Sequence, residues 1–212
     1  MNEYPTMKKY FTAITAIALI SIAPYALAAS STDLSVTGTI TPEACTPSLS
    51  NGGVVDHGKI SAKDLNPSTA TAIGSHPMQL AVNCDAPTTF ALTPIDNNPG
   101  TASNRDWYGF GLSDAGEKLG FVIAMVSSTL ADGQPAQSIL SVDNGATWYR
   151  HHHLRPARLV SAASTTDHST PIAVENLSFE LELTSFIARA DSLTLIDEVN
   201  FNGSVTFEMK YL

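Results

Sequence analysis

Residues 177–184 read LSFELELT, a strict alternation of apolar and polar side chains. Leu177, Phe179, Leu181 and Leu183 therefore lie on one side of an extended chain. Successive side chains of a strand point to opposite faces of a sheet, so the pattern predicts a β-strand with one buried face. An amphipathic helix would instead repeat its apolar residues every three or four positions.

The same period of two recurs along most of the chain. The further apolar rows are Leu34, Val36 and Ile40; Met78, Leu80, Val82 and Cys84; Phe90 and Leu92; Phe121, Ile123 and Met125; and Val205, Phe207, Met209 and Tyr211. Turn-forming pairs such as Asp132-Gly133 and Asn202-Gly203 lie between rows. Short strands with one apolar face predict an all-β protein built from two packed antiparallel sheets.

Composition narrows the class of partner. The 212 residues include 11 Lys and Arg against 20 Asp and Glu, which gives a formal net charge of −9. Contact with nucleic-acid phosphates needs basic patches, so this charge argues against a nucleic-acid partner. The 43% hydrophobic content is too high for a disordered protein, and the length suits a domain with a substantial core.

The first 28 residues have the order of a secretory signal peptide. Lys8 and Lys9 form a short basic start, and the apolar run 11–23 is too short to span a bilayer as a helix. The tripeptide ALA at residues 26–28 is a small-x-small cleavage pattern. We predict cleavage after Ala28, with an N-terminal membrane anchor as the alternative.

The remaining residues, 29–212, are predicted to form a single exported domain. They contain both cysteines of the chain, Cys45 and Cys84. In an oxidising compartment, two cysteines favour one intramolecular disulfide bond. A metal site or a reactive thiol is the alternative, but neither the CxxC spacing nor a neighbouring histidine supports it.

The stretch SVDNGATW at residues 141–148 fits the pattern S-x-D-x-G-x-T-W, the Asp box known from sialidase propellers. The residues of this motif are Ser141, Asp143, Gly145, Thr147 and Trp148. The pattern predicts a hairpin in which Asp143 accepts hydrogen bonds from turn amides and Gly145 adopts a positive φ. A sialidase repeats the motif in a much longer chain, so we interpret the single copy as structural.

Three consecutive histidines, His151, His152 and His153, stand in the one basic stretch of the chain. The basic residues near them are Arg150, Arg155 and Arg158. Neighbouring residues of a strand point to opposite faces, so the three rings cannot all bind one metal ion. The run is a solvated loop or edge, or a surface for an acidic partner or a sugar. His57 and His76 are isolated in the sequence.

Motifs of catalysis are missing from the sequence. There is no nucleophile elbow, phosphate-binding loop, zinc-protease motif or dinucleotide fingerprint. We therefore predict a protein without catalytic residues, metal or cofactor, and not an enzyme. In a ligand-binding protein, the aromatic side chains of Trp107, Tyr108, Trp148 and Tyr149 would be candidates for stacking on sugar rings.

Both ends of the chain resemble chaperone–usher fimbrial subunits, the pilins. LSVTGTI at residues 34–40, followed by Cys45, resembles the first pilin strand, and Cys84 resembles the second pilin cysteine. Gly203, an alternating strand and the penultimate Tyr211 are similar to the pilin C-terminus. A branch of uncharacterised fimbrial-like secreted proteins shares the segments GTITPEACTPSLS and NGGVVDHGKIS, residues 38–50 and 51–61 of this chain.

The resemblance implies an immunoglobulin-like sandwich that lacks its last strand. A periplasmic chaperone would fill the gap, and at the usher the extension of a neighbouring pilus subunit would replace it by β-strand addition. Such a subunit passes through the periplasm to the fimbrium at the cell surface and can bind a host glycan or another surface receptor. By position, the chaperone and donor-strand interface would be Val205, Phe207, Met209, Tyr211 and Leu212.

The predicted first strand leaves little chain for donation to a neighbour. Only residues 29–33 precede Leu34, and five residues span at most about 18 Å. We therefore expect a structural or adhesive subunit that accepts a donor strand but gives none, at a pilus tip or outside polymers. The alternative is a soluble periplasmic or secreted sandwich that binds a carbohydrate or another small ligand.

Overall fold

The computed structural model describes Ser35 and residues 44–212, and all described elements belong to one compact unit. The predicted signal peptide and the apolar row of Leu34, Val36 and Ile40 lie outside the described residues, so both stay predictions. The strands are β1 (Cys45–Leu49), β2 (Thr71–Thr88), β3 (Phe90–Asp96), β4 (Tyr108–Gly109), β5 (Gly120–Ala131), β6 (Gln134–Ser141), β7 (Tyr149–Arg150), β8 (His153–Leu154), β9 (Leu159–Ala163), β10 (Val174–Ile187) and β11 (Val205–Tyr211).

Helical structure in the described part of the chain is limited to short 3-10 turns. They span Ser50–Gly53, Ala62–Asp64 and Ala190–Ser192. No helix among the residues of known placement is long and apolar enough to cross a membrane. The all-β prediction is confirmed.

The strands pair antiparallel in two layers. The first layer has the order β1-β2-β10-β5, with β4 and β8 also against β5, and the second has the order β6-β9-β3-β11, with β7 also against β6. Strand β6 joins the layers, because Gln134–Ala136 pair with β5 whereas Gln137–Ser141 pair with β9. The layers are therefore continuous on one side, and on the other side they end in the edge strands β1 and β11.

The core lies between the two layers and follows the predicted rows in β2, β3 and β10. In β5 the prediction is wrong: Val122, Ala124 and Val126 pack on the main core, rather than the row Phe121, Ile123 and Met125, because residues 121–126 are apolar on both faces of the strand. Its largest cluster includes Met78, Leu80, Val82, Phe90, Leu92, Leu140, Val160, Leu177, Phe179 and Leu181. The inward side chains of β10 are nearly inaccessible, with Phe179 at 0% and Leu181 at 3% exposure. Burial of each such side chain contributes roughly 1.5–3 kcal/mol, so this interface carries much of the stability.

The predicted disulfide bond is present. Cys45 and Cys84 are bonded, and they occupy directly paired positions of β1 and β2. The bond closes a sequence separation of 39 residues, which in the chain-entropy account stabilises the fold by about 4 kcal/mol. It ties the outermost strand of the first layer to the strand beside it.

Candidate functional site

Strand β11 has a partner along one edge only. It pairs with β3 from Val205 opposite Asp96 to Tyr211 opposite Phe90. No strand among the described residues pairs with its other edge. An edge strand presents a row of backbone N–H and C=O groups that can template pairing with another chain.

A cleft of about 200 Å³ lies beside this edge. Val205 and Phe207 of β11 line one side, and Leu49 of β1 and Val55 of the following loop line the other. The floor includes Met78, Tyr108, Phe110, Val122, Ala124 and Leu181. The cleft is therefore mostly apolar and extends between the end strands of the two layers down to the core.

The cleft is closed at the C-terminal end of β11. The backbone N–H of Cys45 donates a hydrogen bond to the Tyr211 hydroxyl, with 3.1 Å between the atoms. Lys210 Nζ donates to Asn144 Oδ1 at 2.6 Å, which holds the strand from the other side. The two edges thus meet near Tyr211, and the cleft is lined farther along, at Val205 and Phe207.

The five predicted interface residues divide between the cleft and its closed end. Val205 and Phe207 are half-buried and line the cleft, while the half-buried Met209 packs against the core. Tyr211 and Leu212 are 39% and 48% exposed at the closed end. The row in β11 could be read from the sequence, but the opposite wall and the floor come from distant segments that carry no shared motif.

One fully buried polar atom among the residues that line the cleft has no hydrogen-bond partner in the described part of the chain. The Tyr108 hydroxyl is buried without a hydrogen bond among the described residues, and the residue is only 1% exposed. Burial raises the pKa of Tyr108, and the nearby Asp96 carboxylate raises it further. A ring at this depth cannot serve as the surface stacking group that the sequence suggested, so that interpretation of Tyr108 is wrong.

The Asp box forms a compact hairpin. Asp143 Oδ1 accepts hydrogen bonds from Ser141 Oγ at 2.7 Å and from the backbone N–H of Thr147 at 2.9 Å. The Thr147 hydroxyl also donates a hydrogen bond to Asp143 Oδ2. The bonds stabilise the charged carboxylate and lower the pKa of Asp143 to about 2, and the bond from the Thr147 hydroxyl contributes most. Trp148 Nε1 donates to the carbonyl of Gly145, whose φ is 98°. Through Asn144 and Lys210, the hairpin contacts the closed end of the cleft.

Two of the three consecutive histidines, His151 and His153, belong to a row of aromatic rings that also includes Tyr149 and Trp107. Ring centroids are 5.9 Å apart for Tyr149 and His151, 5.6 Å for His151 and His153, and 5.3 Å for His153 and Trp107. The guanidinium of Arg155 lies 4.7 Å from the Trp107 ring centroid. The ring planes are inclined to one another by 55° to 71°, so they do not form a flat platform for a sugar.

A second and larger cavity, of about 530 Å³, lies between the segments 55–65 and 193–201. Lys59 of the first segment and Glu198 of the second form an exposed ion pair at 3.3 Å. The lining mixes charged groups with apolar ones such as Leu193. Its volume falls in the range of small-molecule sites, roughly 300–1,000 Å³.

Among residues 44–212, no three His, Cys, Asp or Glu side chains form a cluster that could hold a metal ion. The predicted absence of metal and cofactor stays a prediction, because the residues before position 44 lie largely outside the described part.

The chain is similar to one protein family over residues 34–120 and to one bacterial protein over nearly its whole length. Residues 34–120 match the family described as "Protein of unknown function (DUF1120)". Protein GltF of Escherichia coli (strain K12) is 26% identical over 251 aligned positions, which cover 97% of this chain and 99% of GltF. The uncharacterised protein YhcF of the same organism is 38% identical over 71 residues, 34% of this chain and 30% of YhcF. None of these descriptions states a function, so the chain is similar to DUF1120 proteins and to GltF, and its resemblance to pilins remains a prediction.

Proposed function

We propose that this protein is a structural or adhesive subunit of a chaperone–usher fimbria, completed by a strand from another molecule. The observation that carries the proposal is the single-sided pairing of β11 beside an apolar cleft. A sandwich edge of this kind is an aggregation hazard unless it is covered. A periplasmic chaperone in transit, and then a neighbouring subunit, would supply the covering strand.

The cleft offers an added strand two kinds of stabilisation. Backbone pairing with β11 would satisfy its open edge, and apolar side chains of the added strand would cover Val205 and Phe207. Each side chain fully buried in this way contributes roughly 1.5–3 kcal/mol. Three or four such side chains would equal a large part of the stability of an ordinary domain, about 5–15 kcal/mol.

The last residue of the sequence, Leu212, lies at the closed end of the cleft. Leu212 is about half exposed, and its backbone N–H donates to the carbonyl of Thr89 at 3.0 Å. The terminal residue is thereby held at the closed end of the cleft.

The place of the subunit in the fimbrium is the finer part of the proposal. The first described strand is Cys45–Leu49, so a tip position requires residues 34–40 to stay with their own sandwich. A peptide of residues 29–41 tests this requirement. If the peptide fills the cleft of a partner subunit, the segment is a donor and the tip position is wrong.

A matched pair of variants tests the function itself. Phe207→Arg places a charge in the cleft, whereas Glu208→Arg adds the same side chain at the adjacent exposed position. Co-expression with a periplasmic fimbrial chaperone should yield a soluble complex for the parent chain and for Glu208→Arg, but not for Phe207→Arg. The proposal fails if a fimbrial chaperone neither binds the parent chain nor raises its yield of soluble protein or its melting temperature.

The second candidate function is that of a ligand-binding sandwich, which the 530 Å³ cavity favours. A complete sandwich would fold alone, and a ligand bound to the native state would raise its melting temperature. A screen of mono- and oligosaccharides against the isolated mature chain distinguishes this candidate from the first. A ligand-dependent shift that Leu193→Trp abolishes would favour it.

A further inference from the structure

Two histidines that stand 19 positions apart in the sequence are neighbours in the structure. The ring centroids of His57 and His76 are 4.9 Å apart, with the planes inclined by 76°. His57 lies in the loop after β1 and lines both cavities, and His76 lies in β2. Both side chains are half-buried, so solvent and ions can reach them.

A glycine leaves space between the two rings. A Cβ atom built on Gly74 would lie 3.1 Å from Nε2 of His76 and 3.4 Å from Nδ1 of His57. The third-nearest atom also belongs to the His57 ring. Any other residue at position 74 would place its Cβ atom there, so the glycine keeps open a small space that lies within 3.4 Å of one nitrogen of each imidazole.

An irregularity in the sheet lies beside the two rings. In the pairing of β2 with β10, Ser185 lies opposite Gly74 but Phe186 lies opposite Ala72, so Ile73 is an extra residue in β2. A β-bulge bends the strand and redirects its side chains, and bulges are common beside functional sites. The extra residue, Ile73, directly precedes Gly74, and Gly74 lies two residues before His76.

The two ring nitrogens nearest to Gly74 make no hydrogen bond among the described residues. His57 Nε2 bonds to Ser185 Oγ at 2.9 Å. Among the described residues, His57 Nδ1 and both ring nitrogens of His76 make no hydrogen bond. A metal-binding histidine commonly uses its second nitrogen in this way, because the outer hydrogen bond fixes the ring and its tautomer.

We propose that His57 and His76 bind a divalent transition-metal ion in the space beside Gly74. Imidazole nitrogen suits zinc, nickel and copper, and copper(II) binds most tightly in the Irving–Williams order. No third His, Cys, Asp or Glu of the described residues joins the cluster, so water supplies the other ligands. The site is independent of the fimbrial proposal.

Copper(II) titration of the mature chain tests the site. The parent for this titration carries His151→Gln, His152→Gln and His153→Gln, which remove the other histidine cluster as a competing ligand. We expect one copper ion per chain, with a continuous-wave EPR spectrum showing two imidazole nitrogens. His57→Gln and His76→Gln should each weaken binding more than tenfold, whereas the exposed control His168→Gln should leave it unchanged.

The result that overturns the proposal is equally specific. Unchanged affinity in either His57→Gln or His76→Gln excludes the site, as does a parent spectrum with a single imidazole nitrogen. Melting curves without metal show whether each variant is folded. The spectrum of the parent decides the question even if a variant fails to fold.

Discussion

Strands β10 and β11 carry the same sequence signal but have different surroundings. Both alternate apolar and polar residues over at least seven positions. β10 is paired along both edges, with β2 and β5, and its inward side chains are buried. β11 is paired with β3 alone, and its inward side chains are only half-buried. Alternation thus specifies which face of a strand packs, but not how many neighbours the strand has.

The edge opposite β11 is held by a covalent bond, and removal of that bond should have the largest effect. Replacement of Cys45 and Cys84 by serine together should lower the free energy of unfolding by about 4 kcal/mol, because the unfolded chain regains the entropy of the closed loop. Urea denaturation of the oxidised parent and the double variant measures the difference. A loss below about 1 kcal/mol would mean that packing alone holds β1 in place.

A matched pair of alanine variants measures the contrast between the strands directly. Leu181→Ala in β10 should lower the free energy of unfolding by about 3 kcal/mol, because it leaves a cavity in the core beneath a strand that is paired on both edges. Met209→Ala in β11 should cost about 1 kcal/mol in the isolated chain, since part of the side chain already contacts solvent. Equal costs in urea denaturation would show that the open edge of β11 is covered in the isolated protein.

The contact that closes the cleft gives a smaller effect. Tyr211→Phe removes the hydroxyl that accepts the hydrogen bond from the Cys45 N–H, at a cost of about 0.5–1 kcal/mol. The aromatic ring remains, so the variant separates the hydrogen bond from packing. Hydrogen exchange at the Cys45 amide should accelerate in the variant and stay unchanged in the control Glu208→Ala. Unchanged exchange at Cys45 would show that this bond does not hold the edges together.

The Asp-box hairpin should give the smallest effect, and it depends on pH. The folded pKa of Asp143 is lowered from 3.8 to about 2 by hydrogen bonds. Its ionised form therefore stabilises the fold above about pH 4, and this contribution is lost as the pH falls through about 2. Asp143→Asn should lower the melting temperature slightly at pH 5, and the difference from the parent should shrink towards pH 2. A difference that is constant with pH would contradict the role of the charge.

Local patterns in the sequence were enough for much of the fold. The strands β2, β3, β10 and β11 fall on the predicted rows, and the disulfide bond forms between the only two cysteines. In β5 the strand was predicted but its packed face was not, because apolar residues on both faces leave the period of two without a choice. The hairpin at residues 141–148 also follows from its turn chemistry. These features depend on side chains within a few positions of one another, or on a pair without competitors, so the sequence could specify them.

Burial of individual rings was less accessible to sequence reasoning. Tyr108 and Trp107 are adjacent aromatic residues, yet the first is buried in the core and the second lies half-buried beneath Arg155. Both faces of a short strand can meet other parts of the chain. Which face is covered depends on the layers above and below it, and these come from distant segments.

The sequence by itself determined the class of fold, the apolar faces of β2, β3, β10 and β11, the disulfide pair and the hairpin, because period, turn chemistry and cysteine count are local or unique properties. Only the tertiary structure decided that β11 lacks a second described partner, that Leu49 and Val55 stand across a cleft from Phe207, and that His57 reaches His76. Each of these depends on strand order and register between segments far apart in the chain. Neighbours across a sheet are fixed by the packing of the whole molecule, which no single stretch encodes.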